Sequence, residues 1–430
     1  MPMFWHLCAL RNCCRTSAPA PADCAASRFF DGSSQTAPRL EIRLDKGKPA
    51  MKRRTRAMAA GLLCVAGWSA SAADLERGMD AYQRGDYAAA LAEFRPLAEQ
   101  GDARAQAQYA RMMALGQGMP TDLVTSLNWY EKSAAQGDAE GQYGLAYSYA
   151  HGEGVSQNVA RAVELLKKAD AQGYDRATAL LGEIRAGQFD DRHRDPARAR
   201  ALFERAAQAG NDGARLNLGL MLINGQGGPA EPERAIDLLK AQASSYPEAA
   251  GALGLAYEHG QGVPADIDQA ARWYKIAADR GYGPAQINIG KLYQTGKGVE
   301  RDGAAAADYY RMAAEQGYAT ARYNLGHLYA EGEGVQQDDQ LAVLNYAIAA
   351  IDGVSGARNA LDETLDRLKK RRVERATALR EAAGGQAPAY ATLAAGTTVW
   401  PVQAPADGWV AVYAAPDGPR LGYVEVADLN

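Results

Sequence analysis

From Asp74 onward the large apolar residues recur with helical spacing, and they fall into two alternating sets. One set is a large apolar residue, a small one, then a bulky one three positions later: Leu145-Ala146…Tyr149, Leu253-Gly254…Tyr257, Ile289-Gly290…Tyr293 and Leu325-Gly326…Tyr329. Positions i, i+1 and i+4 share one helical face, so this set predicts a first helix, A. The other set is a bulky pair: Trp129-Tyr130, Leu165-Leu166, Leu202-Phe203, Leu238-Leu239, Trp273-Tyr274, Tyr309-Tyr310 and Asn345-Tyr346. The successive spacings are 36, 37, 36, 35, 36 and 36, and the set predicts a second helix, B.

Glycines punctuate the pattern in register. A Gly-x-Gly pair recurs at Gly116/Gly118, Gly152/Gly154, Gly225/Gly227, Gly260/Gly262, Gly296/Gly298 and Gly332/Gly334. Its first glycine suits the left-handed residue past a helix C-terminus. Four residues after the second glycine stands Asp122, Asn158, Asp266, Asp302 or Asp338, each able to cap helix B by accepting from its free N–H groups. A closing glycine (Gly101, Gly137, Gly173, Gly210, Gly281, Gly317, Gly353) turns the chain into the next unit. One such hairpin cannot bury enough surface to fold alone, so stacking is obligatory and a superhelix is expected. About eight units fit residues 74–353. The first, running through Tyr82–Tyr87 to Gly101, has a short loop and resembles a tetratricopeptide unit.

Two units depart from the pattern. One carries Gly187-Gln-Phe-Asp-Asp-Arg-His-Arg-Asp-Pro196 in its loop, without a second glycine. The next has Gly227-Gly228-Pro229 and ends Ser244-Ser-Tyr-Pro247 in place of a closing glycine. A binding loop or a bend is one reading of both; drift in a tolerant surface loop is the favoured expectation.

The repeat columns resemble the Sel-1-like repeat family. The resemblance rests on Ala321-x-x-Asn-Leu-Gly-x-x-Tyr-x-x-Gly-x-Gly-Val335 and on Ala270-x-x-Trp-Tyr-x-x-Ala-Ala-x-x-Gly281 (the middle residues written as the family shares them). It implies a mainly α fold, an α/α solenoid forming a right-handed superhelix of helix-turn-helix units. It also implies an adaptor that holds a protein partner in a concave groove. Cysteine-rich bacterial members linked to β-lactam or cell-wall binding carry a disulfide in each repeat; this chain has none there, so that activity does not carry over.

Both ends follow other rules. Met51-Lys-Arg-Arg-Thr-Arg56, the apolar stretch 57–68 and Ser69-Ala-Ser-Ala-Ala-Asp74 read as a signal peptide over 51–73. Residues 1–50 show no periodicity and read as an unstructured upstream extension from a wrong start. A periplasmic or secreted location follows as an expectation. At the other end, residues 354–385 read as a closing helix, Ala357 to Ala383, with a Leu361/Leu365/Leu368 stripe, then a linker. Residues 386–430 alternate with strand period: Thr398-Val-Trp400, Gly408-Trp-Val-Ala-Val-Tyr413 and Leu421-Gly-Tyr-Val424, with Asp417-Gly418 as a turn. This segment resembles a bacterial SH3-like module, which implies a small all-β barrel whose exposed aromatics can hold peptide or peptidoglycan. Trp400, Trp409 and Tyr423 are its candidates, although core packing of most of them is the plainer expectation.

Composition narrows the function. Net charge is −4, which gives no basic field for nucleic acid. No apolar run is long enough to span a membrane. All five cysteines lie at or before Cys64, so nothing later offers a thiolate zinc site or cysteine nucleophile. The histidines after residue 74 form no metal spacing, no Gly-x-Ser-x-Gly elbow exists, and Gly296-Lys-Gly298 lacks the rest of a phosphate loop. No cofactor, metal or catalytic residue is expected, and a cell-wall or β-lactam-active enzyme has no support. The expected partner is a protein in the groove, with peptidoglycan or exopolysaccharide as the alternative. The residue after the small helix-A residue changes identity along the repeats: Arg111, Tyr147, Glu183, Leu220, Leu255, Lys291, His327. A packing column would stay uniform, so Arg111, Tyr147, Glu183, Lys291 and His327 are the candidate partner-binding residues.

Overall fold

The computed structural model describes residues 74–403, 406–415 and 420–430. The expected extension, signal peptide and Asp417-Gly418 turn lie outside the described residues. Two compact units are resolved, one holding residues 74–218 with 226–229, the other 219–225 with 230–430; the division falls inside one helix.

The first unit begins with helices α1 (residues 74–83) and α2 (Tyr87–Glu99). It continues with α3 (Ala103–Leu115), α4 (Leu123–Ala135), α5 (Ala139–His151), α6 (Val159–Asp170), α7 (Asp175–Ala186) and α8 (Pro196–Gln208). Helix α9 (Asp212–Ile223) contains the division. The second unit holds α10 (Pro232–Gln242), α11 (Pro247–His259), α12 (Ile267–Asp279), α13 (Gly283–Thr295), α14 (Gly303–Glu315), α15 (Ala319–Glu331), α16 (Asp339–Ile351) and α17 (Ala357–Leu365). Odd-numbered helices up to α15 are helix A and even-numbered ones helix B, so both units are helical repeat solenoids.

The packing rule within a pair joins the two sequence columns. The small residue of helix A lies against the second bulky residue of helix B, usually twenty positions later in sequence. A Cβ on Gly254 would fall 2.4 Å from the Tyr274 ring, and one on Gly290 would fall 2.8 Å from Tyr310. Both tyrosine residues are fully buried. Leaving out the side chain lets helix A approach the ring closely, and the contact offsets the roughly 1 kcal/mol of helix propensity that glycine costs. The buried hydroxyl then ties two successive pairs together. Tyr274 donates to Glu258 of its own pair at 2.5 Å and is also hydrogen-bonded to Asn288 of the next. Tyr310 repeats this, bonding Gln294 at 3.1 Å and Asn324 in the following helix A.

The loops stack by a second rule. At Gly298, φ is +68°, and a Cβ would meet the Ile267 carbonyl oxygen at 2.5 Å, in the first turn of the preceding helix B. Only glycine fits, because the conformation and the approach both exclude a side chain. The expected caps are present. Asp122, Asn158, Asp266, Asp302 and Asp338 accept from backbone N–H groups of the next helix at 2.9–3.0 Å. In the loop that lost its second glycine, Phe189 occupies the position and meets His151 edge-on with centroids 4.9 Å apart. Where the closing glycine is missing, Arg280 holds the turn by donating to the Ala243 and Ser245 carbonyls, both at 2.9 Å.

The C-terminal part departs from its sequence reading in two ways. The closing helix stops at Leu365, not Ala383. Beyond it run β1 (Arg371–Arg372) and β2 (Thr377–Arg380), then β3 (Ala389–Leu393), β4 (Thr398–Pro401), β5 (Trp409–Ala414) and β6 (Arg420–Glu425). The Leu361/Leu365/Leu368 stripe does not carry the helix on to Ala383: burial alternates along β2 and Thr377 is paired with Leu393. An SH3-like barrel is not confirmed. The antiparallel sheet has the order β1-β4-β5-β6-β2-β3, and its edge strands do not pair with one another. A two-residue β1 offers too short an edge to close it.

Both faces of this sheet are covered. Val399, Val410, Val412, Ala414 and Val424 form its own core with Leu379 and Leu393. The alternate residues Ala411, Tyr413, Leu421 and Tyr423 pack with Ala342, Val343 and Tyr346 of α16 and with Leu361 and Leu365 of α17. Asp428 fastens the sheet's two ends, accepting from Thr377 and from Arg375 at 2.6 Å, and these bonds hold its carboxyl below the usual range.

Candidate functional site

The variable column of helix A starts in the first unit as part of the wall. Arg111 is 7% exposed; its Nη1 is 3.4 Å from Glu140, and its guanidinium lies 4.8 Å from the Tyr82 ring centroid. Gln108 also donates to Glu140, at 2.5 Å. Burial raises the Glu140 pKa, and Arg111 and Arg176 oppose the rise. Variation at position 111 therefore reflects an internal ion pair as well as a surface.

Tyr147 belongs to a chain of rings. Tyr174 and Tyr143 are 5.4 Å apart, Tyr143 and Tyr147 6.5 Å, and Tyr147 stacks on His151 at 3.8 Å. The His151 Nδ1 lies 3.0 Å from the Tyr147 carbonyl oxygen, one turn back, as suits the last turn of a helix. Glu183, on α7, is half-buried beside this stripe. Burial pushes its carboxyl up to about 7. Burial raises the hydroxyls of Tyr143 and Tyr147; Tyr174 adds to the rise at Tyr143 and Glu153 at Tyr147, and the charge of Glu183 adds to both.

In the second unit the same column opens a cleft of about 200 Å³. Leu220 of α9 and Leu255 of α11 line it together with Ile223, Tyr282, Ala285 and Asn288. Leu255 is 43% exposed, high for a leucine on a helix face. Lys291 and His327, further along, are exposed and lie outside this cleft. The single column does not contain Ile223, Tyr282, Ala285 and Asn288. The i, i+3, i+4 neighbours of Leu220 and Leu255 would have pointed to Ile223, and Tyr282 follows the closing Gly281.

The tail candidates do not form an open display. Tyr423 is buried, and Trp400 and Trp409 pack against the cluster that joins the sheet to α16 and α17. The Trp400 ring lies 5.9 Å from Tyr413, and its buried Nε1 has no acceptor among the described residues. Strand alternation places these side chains toward the helices, in line with the expectation of core packing.

Among the described residues, no His, Cys, Asp and Glu group could hold a metal, and no helix is long and apolar enough to cross a membrane. These elements present apolar surface, aromatic rings and carboxylates that burial pushes above their ordinary range, Glu140 and Glu183 among them.

A Sel1 repeat model matches residues 103–138, 139–174, 176–211, 213–241, 247–282, 283–318 and 319–354. The Sel1-repeat-containing protein YjcO of Escherichia coli (strain K12) is 35% identical over 104 residues, 23% of this chain and 44% of that protein. The chain thus spans under half the length of that relative. Among solved structures, a protective antigen of uropathogenic Escherichia coli displaying an SLR fold matches with 29% identity and a TM-score of 0.57, covering 72% of this chain and 67% of the other. A Sel1 repeat protein from Oxalobacter formigenes matches with 27% identity and a TM-score of 0.52, covering 75% and 98%.

Proposed function

The chain belongs to the Sel1-repeat family, and from that premise we propose that it is a non-enzymatic adaptor that holds a protein partner on its helix-A face in the bacterial cell envelope. Sel1-repeat proteins are typically protein-interaction scaffolds. The observation that carries the reading is the cleft across α9, α11 and α13, with Leu220 and Leu255 at its surface. The packing columns already fill the interior, so the exposed part of Leu255 is apolar surface left without cover in the concavity. An apolar side chain from a partner would bury it, and a well-filled apolar pocket is the usual centre of a protein interface. Full burial of one such side chain is worth about 1.5–3 kcal/mol. Export, and with it a periplasmic or secreted location, rests on the basic, apolar and small-residue sequence of residues 51–73.

A photo-crosslinking residue in place of Leu255, in the full chain expressed in a bacterial cell, tests the reading. A discrete protein adduct is expected, lost when Leu220→Asp is added. Absence of any adduct above that of the unlabelled chain, or an adduct unchanged by Leu220→Asp, defeats it. Peptidoglycan binding through Trp400, Trp409 and Tyr423 has less support, because these rings pack toward α16 and α17.

A further inference from the structure

We propose that the cleft at Leu220 and Leu255 takes one long basic side chain of a protein partner, an arginine or lysine lying along α11 with its head at Glu248; this deepens the adaptor reading and rests on it.

Size and shape come first. The cleft of about 200 Å³ is smaller than the roughly 300–1,000 Å³ of sites that enclose a small molecule, so it suits a single side chain. All of its lining residues belong to the second unit. On α11, Glu248, Ala252 and Leu255 line it at spacings of four and three, so they form one stripe along that helix. Glu248 is in the first turn and Leu255 is seven residues later, which puts about 10 Å of helix between an acidic end and an apolar end. Gly251 shares this face. A Cβ there would stand 2.6 Å from the Tyr282 ring, so the missing side chain lets Tyr282 close the cleft beside the stripe.

Charge then selects the occupant. Glu248 is the one charged residue in the lining; the others are apolar side chains, a tyrosine and neutral amides. It is half-buried, and among the described residues no lysine, arginine or histidine pairs with it. Glu258, on the same helix, shows the contrast: it accepts from the buried Tyr274 hydroxyl and so serves the packing. The helix dipole favours a glutamate in a first turn, but it does not require that the carboxylate line a cavity. Glu248 and Leu255 call for different chemistry at the two ends of one stripe. A long basic side chain meets both, because its methylene stem covers the leucines while its head reaches the carboxylate. A wholly apolar residue would cover Leu255 and draw Glu248 further from water without a counter-ion, and an acidic one would be repelled.

The test is methyl NMR of the full chain, labelled at leucine, titrated with short Gly/Ser peptides that carry one central arginine, lysine, norleucine or glutamate. The arginine and lysine peptides should shift the Leu220 and Leu255 signals and bind at least about five-fold tighter than the norleucine peptide, which keeps the stem and lacks the charge. The glutamate peptide should bind most weakly. Glu248→Gln should remove the preference for a basic residue and leave norleucine binding unchanged. Glu233→Gln, at an exposed first-turn glutamate of α10 outside the cleft, should leave the preference in place. A preference that survives Glu248→Gln, or no shift at either leucine with any peptide, overturns the proposal. Norleucine binding as tightly as arginine also overturns it, yet leaves the adaptor reading standing, because the Leu255 cross-link requires no charge. Thermal melts of each variant show that changes in binding are not losses of fold.

Discussion

The ring of Tyr274 lies directly against the Cα of Gly254, at a distance that admits no side chain: a Cβ there would stand 2.4 Å from the ring. Gly254→Ala should therefore destabilise the protein even though alanine is the better helix former. Overpacking of this kind costs about 1–3 kcal/mol, more than the propensity gain of about 1 kcal/mol. Urea denaturation of Gly254→Ala, and of Gly254→Ala with Tyr274→Leu, checks this. The double variant should recover part of the loss, and additive losses would show that the two residues do not share the contact.

Two loop glycines separate backbone conformation from stacking. Gly317 has φ +90° with nothing within 4 Å, whereas Gly298 has φ +68° and the Ile267 carbonyl against it. Alanine at either position bears the strain of a positive φ, about 1–2 kcal/mol. Gly298→Ala must also displace the neighbouring helix start, so it should lose measurably more stability than Gly317→Ala in parallel melts.

Glu183 should impose a pH dependence on stability. Its folded-state value of about 7 is above the ordinary carboxylate range, so the folded protein holds this proton more tightly than the unfolded chain. The sign is then fixed. Stability attributable to Glu183 is full below the unfolded value, falls as pH rises toward 7, and is lost above it. Glu183→Gln should be nearly neutral at about pH 4, at or below the ordinary carboxyl value, and stabilising in slightly alkaline buffer, by on the order of 1–3 kcal/mol. Melting temperatures of both proteins across that window test it; a constant difference at every pH would place the effect elsewhere.

The sheet at the C-terminus should stabilise the helices it covers. Tyr413 is 1% exposed and packs with α16 and α17. Truncating a buried aromatic to alanine costs about 3–5 kcal/mol. Tyr413→Ala should speed amide hydrogen exchange in α16 and α17 well before it affects α12 and α13. Equal acceleration throughout would mean that the sheet is coupled to the whole unit instead.

The parts of this fold that were legible in the sequence are those set by one recurring contact. Gly254, Gly290 and Gly326 lie opposite Tyr274, Tyr310 and Tyr346 because each pair of columns has a single packing solution, repeated in register. The caps were legible for the same reason: Asp302 and Asp338 must satisfy the same free N–H groups. What stayed hidden depends on contacts that occur once. Thr377 and Leu379 lie in a stretch of charges that has helical composition, and only pairing with β3 and β6 makes it strand. Arg111 occupied a variable position and read as surface, yet Glu140 from the next helix A draws it inward. The cleft beside Leu255 needs three helices to exist, so no one repeat contains it.

The tail also decides where this chain stops counting. Further blocks of the same length could be spliced in among α11 to α15, because each seam there has the same glycine and the same cap. None could be added after Ile351, since Tyr413 and Tyr423 already occupy the surface that a newcomer would need. The length of the array is thus limited from one end by a segment that shares none of its periodicity.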